Sequence, residues 1–499
     1  MNKLGLIITM SILLYGFTGL NNNVVNHKGN DIINDTLSTP EVIDIESRLE
    51  LFTDHYLIDN LTNASLKLHS PIDKGTVLKF NEPWEGPFSG YTTVIKDREL
   101  FRLYYRGLPT AGKDGRPDEH TCYAESTDGI HWTKPNLKIH KVEGTLDNNV
   151  ILSDVAPVTH NFSPFLDTRK GVDSKQKYKA LGGIAKSGLI AYVSEDGIHW
   201  NLLKKPVFTA SESAFDSQNV SFWSEEEQFY VCYFRTWTKE DYNGYRSVSR
   251  ATSKDFIHWT DPVEMDFGNT KIEQLYTNQT SPYFRAPHIY VSVAARFMPK
   301  RQVISEEEAK KLNVNPKYFK DCSDAIFMTS RGGNKYDRTF MESFIRPGIG
   351  LKNWVSRSNY PALNIVQTSQ TEMSVYVNQD YAQPTAHLRR YALRIDGFTS
   401  IHAPYQGGEM ITKPIRFTGT KLMLNFSTSA AGYIKVEILD LEGNKIKGFD
   451  LENSKEIIGN EIEKIVTWNG NADLIELNNK AVRLRFVMKD ADLYSIKFN

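Results

Sequence analysis

The heptapeptide STDGIHW at positions 126–132 recurs as SEDGIHW at 194–200 and as SKDFIHW at 253–259. SRGGNKY at 330–336 is a degenerate copy, and RIDGF at 394–398 keeps the centre of a fifth. The copies start 59–77 residues apart, the spacing of a repeated supersecondary unit. Asp-Gly between two extended runs is a strong turn signal, because both residues tolerate positive φ. The Trp or aromatic after it has the size to fill a seam between units.

Working outward from each copy, a pair of strand-like runs precedes the motif. The five pairs read TTVIKDRELFRLYYRG, SPFLDTRKGVDSKQKYKALGG, VSFWSEEEQFYVCYFR, SPYFRAPHIYVSVAARF and ALNIVQTSQTEMSVYVNQ. A third run follows and ends in the motif. Helical periodicity is confined to SEEEAKKL from Ser305, where Ser305 and Glu308 have capping-box spacing. Five such units, each a four-stranded antiparallel meander, predict an all-β chain with a five-bladed β-propeller over 48–405. LELFTDHYLID at 49–59 is a candidate strand for completing the last blade. From 406 to 499 the runs alternate apolar and polar residues without the blade period, which predicts a C-terminal β-sandwich. His131, His199 and His258 occupy one equivalent position in three blades. A reactive site needs different residues meeting at one point, so these three histidines read as scaffold.

Composition narrows the remaining choices. The 12% aromatic content suits ring-packed sheets, and a net charge of −1 gives no basis for nucleic acid or an anionic membrane as partner. Lys3 and the apolar run over 4–17 read as a secretory signal peptide over 1–20, too short for a membrane span, followed by a polar leader over 21–47. A secreted or periplasmic protein is expected. Cys122, Cys232 and Cys322 are too few and odd in number for a disulfide framework, and read as buried thiols.

Propeller geometry sorts the polar residues by face. Starts of strand one, ends of strand two and starts of strand three share the face where ligands enter. On it fall Glu85 before blade 1, His160 and Asn161 before blade 2, Asp216 and Asn219 before blade 3, and Glu273 and Asn278 before blade 4. Arg357 stands before blade 5, Arg106, Arg235 and Arg296 end second strands, and His120 begins a third strand. His288 follows a one-to-two turn and belongs to the opposite face. Carboxylates across a cleft suit glycoside hydrolysis, in which one protonates the leaving oxygen and the other attacks or activates water. Asp216, Glu273 and Glu85 are the catalytic candidates. His120, His160, Asn161, Asn219, Asn278 and the four arginines are candidates for binding substrate, the guanidinium groups favouring an acidic or sulfated sugar.

These features resemble the fructosidase and arabinanase clan of glycoside hydrolases, families 32, 43 and 68. LFTDHYLID, HNFSPFLD, FDSQNVSFW and LYTNQTSPYFRAPHIY are similar to a family 32-like branch of polysaccharide-degrading bacteria, and KPIRFTGTKLMLNFSTSAAGYIKVEI and KDADLYSIKF to its C-terminal module. The resemblance spans 48–499. It implies three catalytic carboxylates on strand-one starts of the first three blades, with Glu85 matching the first and Asp216 the third. Blade 2 departs from that pattern, with His160–Asn161 and Ser163–Pro164 where fructosidases carry Arg-Asp-Pro, and this shifts weight to Glu273. The expected function is exo-acting hydrolysis of a terminal sugar, with a non-catalytic carbohydrate-binding propeller or a glycoside phosphorylase as alternatives. No cofactor is expected, and no Cys or His cluster has metal-ligand spacing, although the fold is compatible with a structural calcium.

Overall fold

A computed structural model describes residues 41–499, so the signal peptide and most of the leader lie outside the described residues. Five separate antiparallel sheets follow one another along the chain. Blade 1 runs Gly90–Asp97, Leu100–Gly107, His120–Ser126 and Val150–Leu152. Blade 2 runs Ser163–Leu166, Tyr178–Gly182, Leu189–Ser194 and Asn201–Phe208. Blade 3 runs Val220–Ser224, Phe229–Trp237, Arg246–Ser253 and Val263–Glu264. In blade 4 the first strand is split into Leu275–Thr277 and Thr280–Tyr283, both paired with Ala286–Met298, and Cys322–Ser330 and Ser343–Ile345 complete it.

Blade 5 closes the ring and corrects one expectation. Its split first strand, Tyr360–Pro361 and Val366–Gln367, pairs with Glu372–Gln379, which pairs with His387–Arg394, whose outer neighbour is Ile72–Lys79. The closing strand is therefore 72–79, not 49–59. Within 49–59, Phe52, Leu57 and Ile58 enter the core of the C-terminal module instead, while Leu78 enters the cluster shared by blades 1 and 5.

The first strands face the axis and touch in succession around the ring. Side chains seal it. Gln218 donates to Thr93 Oγ1 at 2.7 Å, and Gln279 donates to Gln218 Oε1 and to the Pro361 carbonyl, both at 2.7 Å. Thr92 Oγ1 donates to Asn378 Oδ1 at 2.7 Å. All of these groups are buried, so the axis is a hydrogen-bonded plug and not an open bore.

The repeated heptapeptide forms the turn after each third strand. Ser126 Oγ accepts the Gly129 amide at 2.9 Å, and Asp128 Oδ1 accepts the amides of Ile130 and His131 at 2.7 and 2.8 Å. The same contacts recur at 194–199 and 253–258, and His131, His199 and His258 point to solvent. Gly197 needs its missing side chain: φ is +76°, and a Cβ there would lie 2.6 Å from Tyr104 Oη of blade 1. Each motif aromatic packs on the preceding blade, Trp132 on Tyr376, Trp200 on Tyr104, Trp259 on Phe208 and Tyr336 on Tyr233.

The C-terminal module is one ten-stranded sheet around its own core, consistent with a β-sandwich. Leu422–Leu439 and Ala481–Phe498 pair along most of their 18-residue lengths. Four strands from Ile43–Glu46 to Ser65–Leu68 join this sheet, so the end of the expected leader from Ile43 and the segment 48–68 assigned to the propeller belong to it. The fifth motif copy serves the junction. Asp396 is fully buried and accepts from Tyr283 Oη at 2.7 Å, Asn425 Nδ2 at 3.0 Å and Ser495 Oγ at 2.9 Å. The three cysteines are buried and free, and the Ser305 capping box is present. Among the described residues no helix is long and apolar enough to cross a membrane.

A second buried anion holds the module to blade 4. Glu50 is fully buried and contacts His288 Nε2, Arg331 and Arg48, each at 3.0 Å. Burial by itself would raise its carboxyl, but the His288 hydrogen bond and the charges of Arg331, His288 and Arg48 outweigh it and lower it to about 2. A depressed carboxylate stabilises the fold above its unfolded value of 4.5, and that contribution is lost as pH falls from about 4.5 to about 2. Glu50→Gln is expected to cost about 3 kcal/mol at pH 7 and to shrink the acid loss of stability, read from urea midpoints at pH 7 and pH 3.

Candidate functional site

The ring brings five of the expected residues to one mouth. Asp216 follows Phe215, held at φ +65°, and its carboxylate pairs with Arg235 from the end of the second strand of blade 3. Arg235 is 2% exposed, with its guanidinium 4.7 Å from the Tyr276 ring. Arg106 lies 4.6 Å from the Tyr91 ring, donates to the Phe88 carbonyl at 3.0 Å and approaches His160 Nδ1 at 3.2 Å. Arg357, at φ +62°, stacks on Tyr276 and Tyr318 at 5.4 and 5.1 Å and has no carboxylate partner among the described residues. Non-glycine residues in this left-handed region are uncommon and cluster where side chains must converge.

The residue that completes the site was not among the sequence candidates. Asp114 lies in the 108–119 loop between the second and third strands of blade 1, inside KDGRPDE, where Asp-Gly reads simply as a turn. Gly115 makes the approach: φ is +72°, its amide donates to Glu119 Oε2 at 3.1 Å, and a Cβ would lie 2.6 Å from Pro157. One carboxylate oxygen each of Asp114 and Asp216 and one ring nitrogen of His160 all lie within 4.8 Å of one another. Asp114 is exposed in its loop, yet its carboxyl lines the mouth, where loss of water pushes it up, with the Asp216 charge adding to this against His160, Arg106 and Arg357. Burial also opposes ionisation of Asp216, but Arg235, His160 and Arg357 outweigh it and hold that carboxyl down.

His160 is 1% exposed. Its Nδ1 faces Glu119 Oε1 and Oε2 at 3.0 and 3.1 Å, and Glu119 is equally buried. His160 Nε2 and Asp216 Oδ1 are both buried without a hydrogen-bond partner among the described residues. Phe88, Tyr91, Tyr276, Tyr318, Tyr360 and Tyr381 line the mouth, whose free volume is about 30 Å³, room for one or two waters.

The remaining expected residues are elsewhere. Glu85 is fully buried in blade 1, paired with Lys134 Nζ at 2.6 Å and Tyr105 Oη at 2.5 Å, so it serves the core. Glu273 is gripped by Arg296 at 2.8 Å and Arg338 at 2.6 Å and lines two rim cavities beside blade 4, not the central mouth. Arg296 is consumed by Glu273 and a bidentate contact with Asp324 at 2.8 and 2.6 Å. Asn161 bridges backbone groups of Gly183, Phe215 and Ser217, Asn219 leans on the Phe215 carbonyl, and Asn278 caps the Thr280 amide. His120 lies outside the lining of the mouth, and burial lowers its imidazole below the usual range. The trio expected to act together, Asp216, Glu273 and Glu85, is thus not brought together. Asp216 meets Asp114.

No protein-family profile and no curated protein sequence matches the chain. Among solved structures, it is similar to an N-acetylgalactosamine deacetylase from F. plautii, at 12% identity and a TM-score of 0.43, over 67% of this chain and 96% of that one. It is also similar to a fructofuranosidase from Schwanniomyces occidentalis, at 11% identity and a TM-score of 0.39, over 84% and 96%. An α-L-arabinofuranosidase from Fusarium graminearum matches at 11% identity and a TM-score of 0.39, over 65% and 99%. The five-bladed assignment rests on the chain's own five sheets.

A buried pair broken from one side strands the other charge. Glu85→Ala is expected to lower stability by about 3 kcal/mol through Lys134 and Tyr105, measured by urea denaturation, and Glu85→Gln by less.

Proposed function

We propose that the protein is a carbohydrate-cleaving hydrolase that takes the end of a glycan chain, bearing an anionic group, into the mouth formed by Asp216, Asp114 and His160. The observation that carries this reading is the convergence of two carboxylates from separate blades beside three guanidinium groups and a wall of tyrosines. Tyrosine faces suit sugar rings, and Arg106, Arg235 and Arg357 suit a carboxylate or sulfate. The plug of Gln218 and Gln279 blocks the axis below, which favours a chain end over a threaded polymer. Export by the expected signal peptide would place the enzyme where such glycans occur.

The closeness of the two carboxylates constrains the chemistry. An inverting pair needs about 6.5–9.5 Å for a water between its carboxyl groups, and these oxygens lie within 4.8 Å. Two carboxylates this close repel one another, and a proton or a cation between them would relieve that repulsion. Phosphorolysis is the second reading, favoured by the unpartnered charge of Arg357, which phosphate could neutralise.

Purified protein incubated with neutral, uronic and sulfated oligosaccharides, with and without phosphate, and analysed by chromatography, tests both. Release of a terminal anionic sugar without phosphate is expected. Asp216→Asn and Asp114→Asn should each lower kcat/KM at least about a hundredfold, while Glu273→Gln retains activity. Phosphate-dependent sugar phosphate release would establish phosphorolysis, and calorimetric binding without turnover would reduce the mouth to a lectin-like site.

A further inference from the structure

We propose that Asp114, His160 and Asp216 form a binding site for a first-row divalent cation such as Zn²⁺ or Mn²⁺. The inference concerns the same mouth but does not depend on the hydrolase reading, since a cation can bind there whatever reaction follows. Three ligand atoms of two kinds, from three different loops, lie within 4.8 Å of one another, which is the span of a single coordination sphere.

The second observation is independent of that clustering. An imidazole that is 1% exposed normally satisfies both nitrogens, yet His160 Nε2 has no partner among the described residues. Its Nδ1 meets Glu119 Oε1 at 3.0 Å and also the donors Arg106 Nη1 at 3.2 Å and Gly115 N at 3.3 Å; in the tautomer that donates from Nδ1 to Glu119, the shortest of these contacts, the lone pair sits on Nε2. A carboxylate behind a histidine in this way fixes the tautomer and raises the basicity of a metal ligand. Asp216 presents a related situation: Arg235 takes Oδ2, and Oδ1 is buried with no N–H donor on it among the described residues, facing only the Asp114 carboxyl. Leaving two acceptors stripped of water costs free energy that a cation at their common focus would recover.

Donor chemistry selects the ion. One imidazole nitrogen and two carboxylates suit zinc or manganese better than calcium or magnesium, whose ligands are oxygens. Three protein ligands leave positions for water or a substrate oxygen, as in sites that act on bound molecules. The neighbouring Arg106, Arg235 and Arg357 repel a cation, and a bound anionic group would screen them, so cation and anion should strengthen each other's binding.

The test is titration of chelator-treated protein with Zn²⁺ by calorimetry and with Mn²⁺ by electron paramagnetic resonance. One ion per chain is expected. Asp114→Asn lies in an exposed loop and should keep the fold, monitored by circular dichroism, while weakening binding at least about tenfold. His160→Gln should do the same. Glu119→Gln, a positioning change, should weaken binding about 10–100-fold without removing a ligand. Absence of stoichiometric binding, or binding indifferent to Asp114→Asn and His160→Gln, overturns the proposal. Activity is not part of the readout, so loss of the hydrolase reading would leave this result standing.

Discussion

Ring closure governs this molecule. Five twisted sheets can share one axis only if the last is fastened to the first, and the chain achieves this by lending Ile72–Lys79 from its N-terminal side to blade 5. Strand pairing between distant segments has a large entropic cost, and it is offset here by apolar seams between blades. The cluster joining Leu78 and Leu388 to Val94, Leu103 and Tyr376 spans that joint. The motif aromatics add to this joint and repeat the same solution at other seams, each resting on the blade before it.

The closed ring in turn makes the mouth. First strands start, and second strands end, on one face, so their polar residues approach the axis from several blades at once. Apolar interiors cannot hold such charges, and the structure separates them by use. Glu85 with Lys134, and Glu273 with Arg296 and Arg338, are fully consumed by local partners. Asp216, His160 and Arg357 retain unsatisfied atoms or unbalanced charge, and a ligand site requires groups of that kind.

The C-terminal module is fastened by buried anions rather than by a linker. Asp396 and Glu50 each sit at its junction with the propeller and collect donors from both sides. Because 43–68 threads through that module before the propeller begins, the two are tied at both ends of the ring.

The heptapeptide and the paired runs were enough to establish blade number, strand order and the face of the mouth, since these follow from local periodicity and turn chemistry. Asp216, His160, Arg106, Arg235 and Arg357 were legible for the same reason: their places relative to a strand end determine which way they point. Asp114 was not, because a loop residue's reach depends on what its loop packs against, here Gly115 against Pro157. Nor could strand position distinguish a free carboxylate from a neutralised one. Glu85, Glu273 and Asp216 look alike in the chain, and their fates were settled by distant partners, Lys134, Arg338 and Arg235, that folding alone brings within ion-pair range. The closing strand was misplaced on the same principle. Segments 49–59 and 72–79 both have strand character, and which one reaches blade 5 depends on where each can bury its apolar side. Local pattern specifies an element and its orientation, whereas long-range burial and charge pairing choose its neighbours.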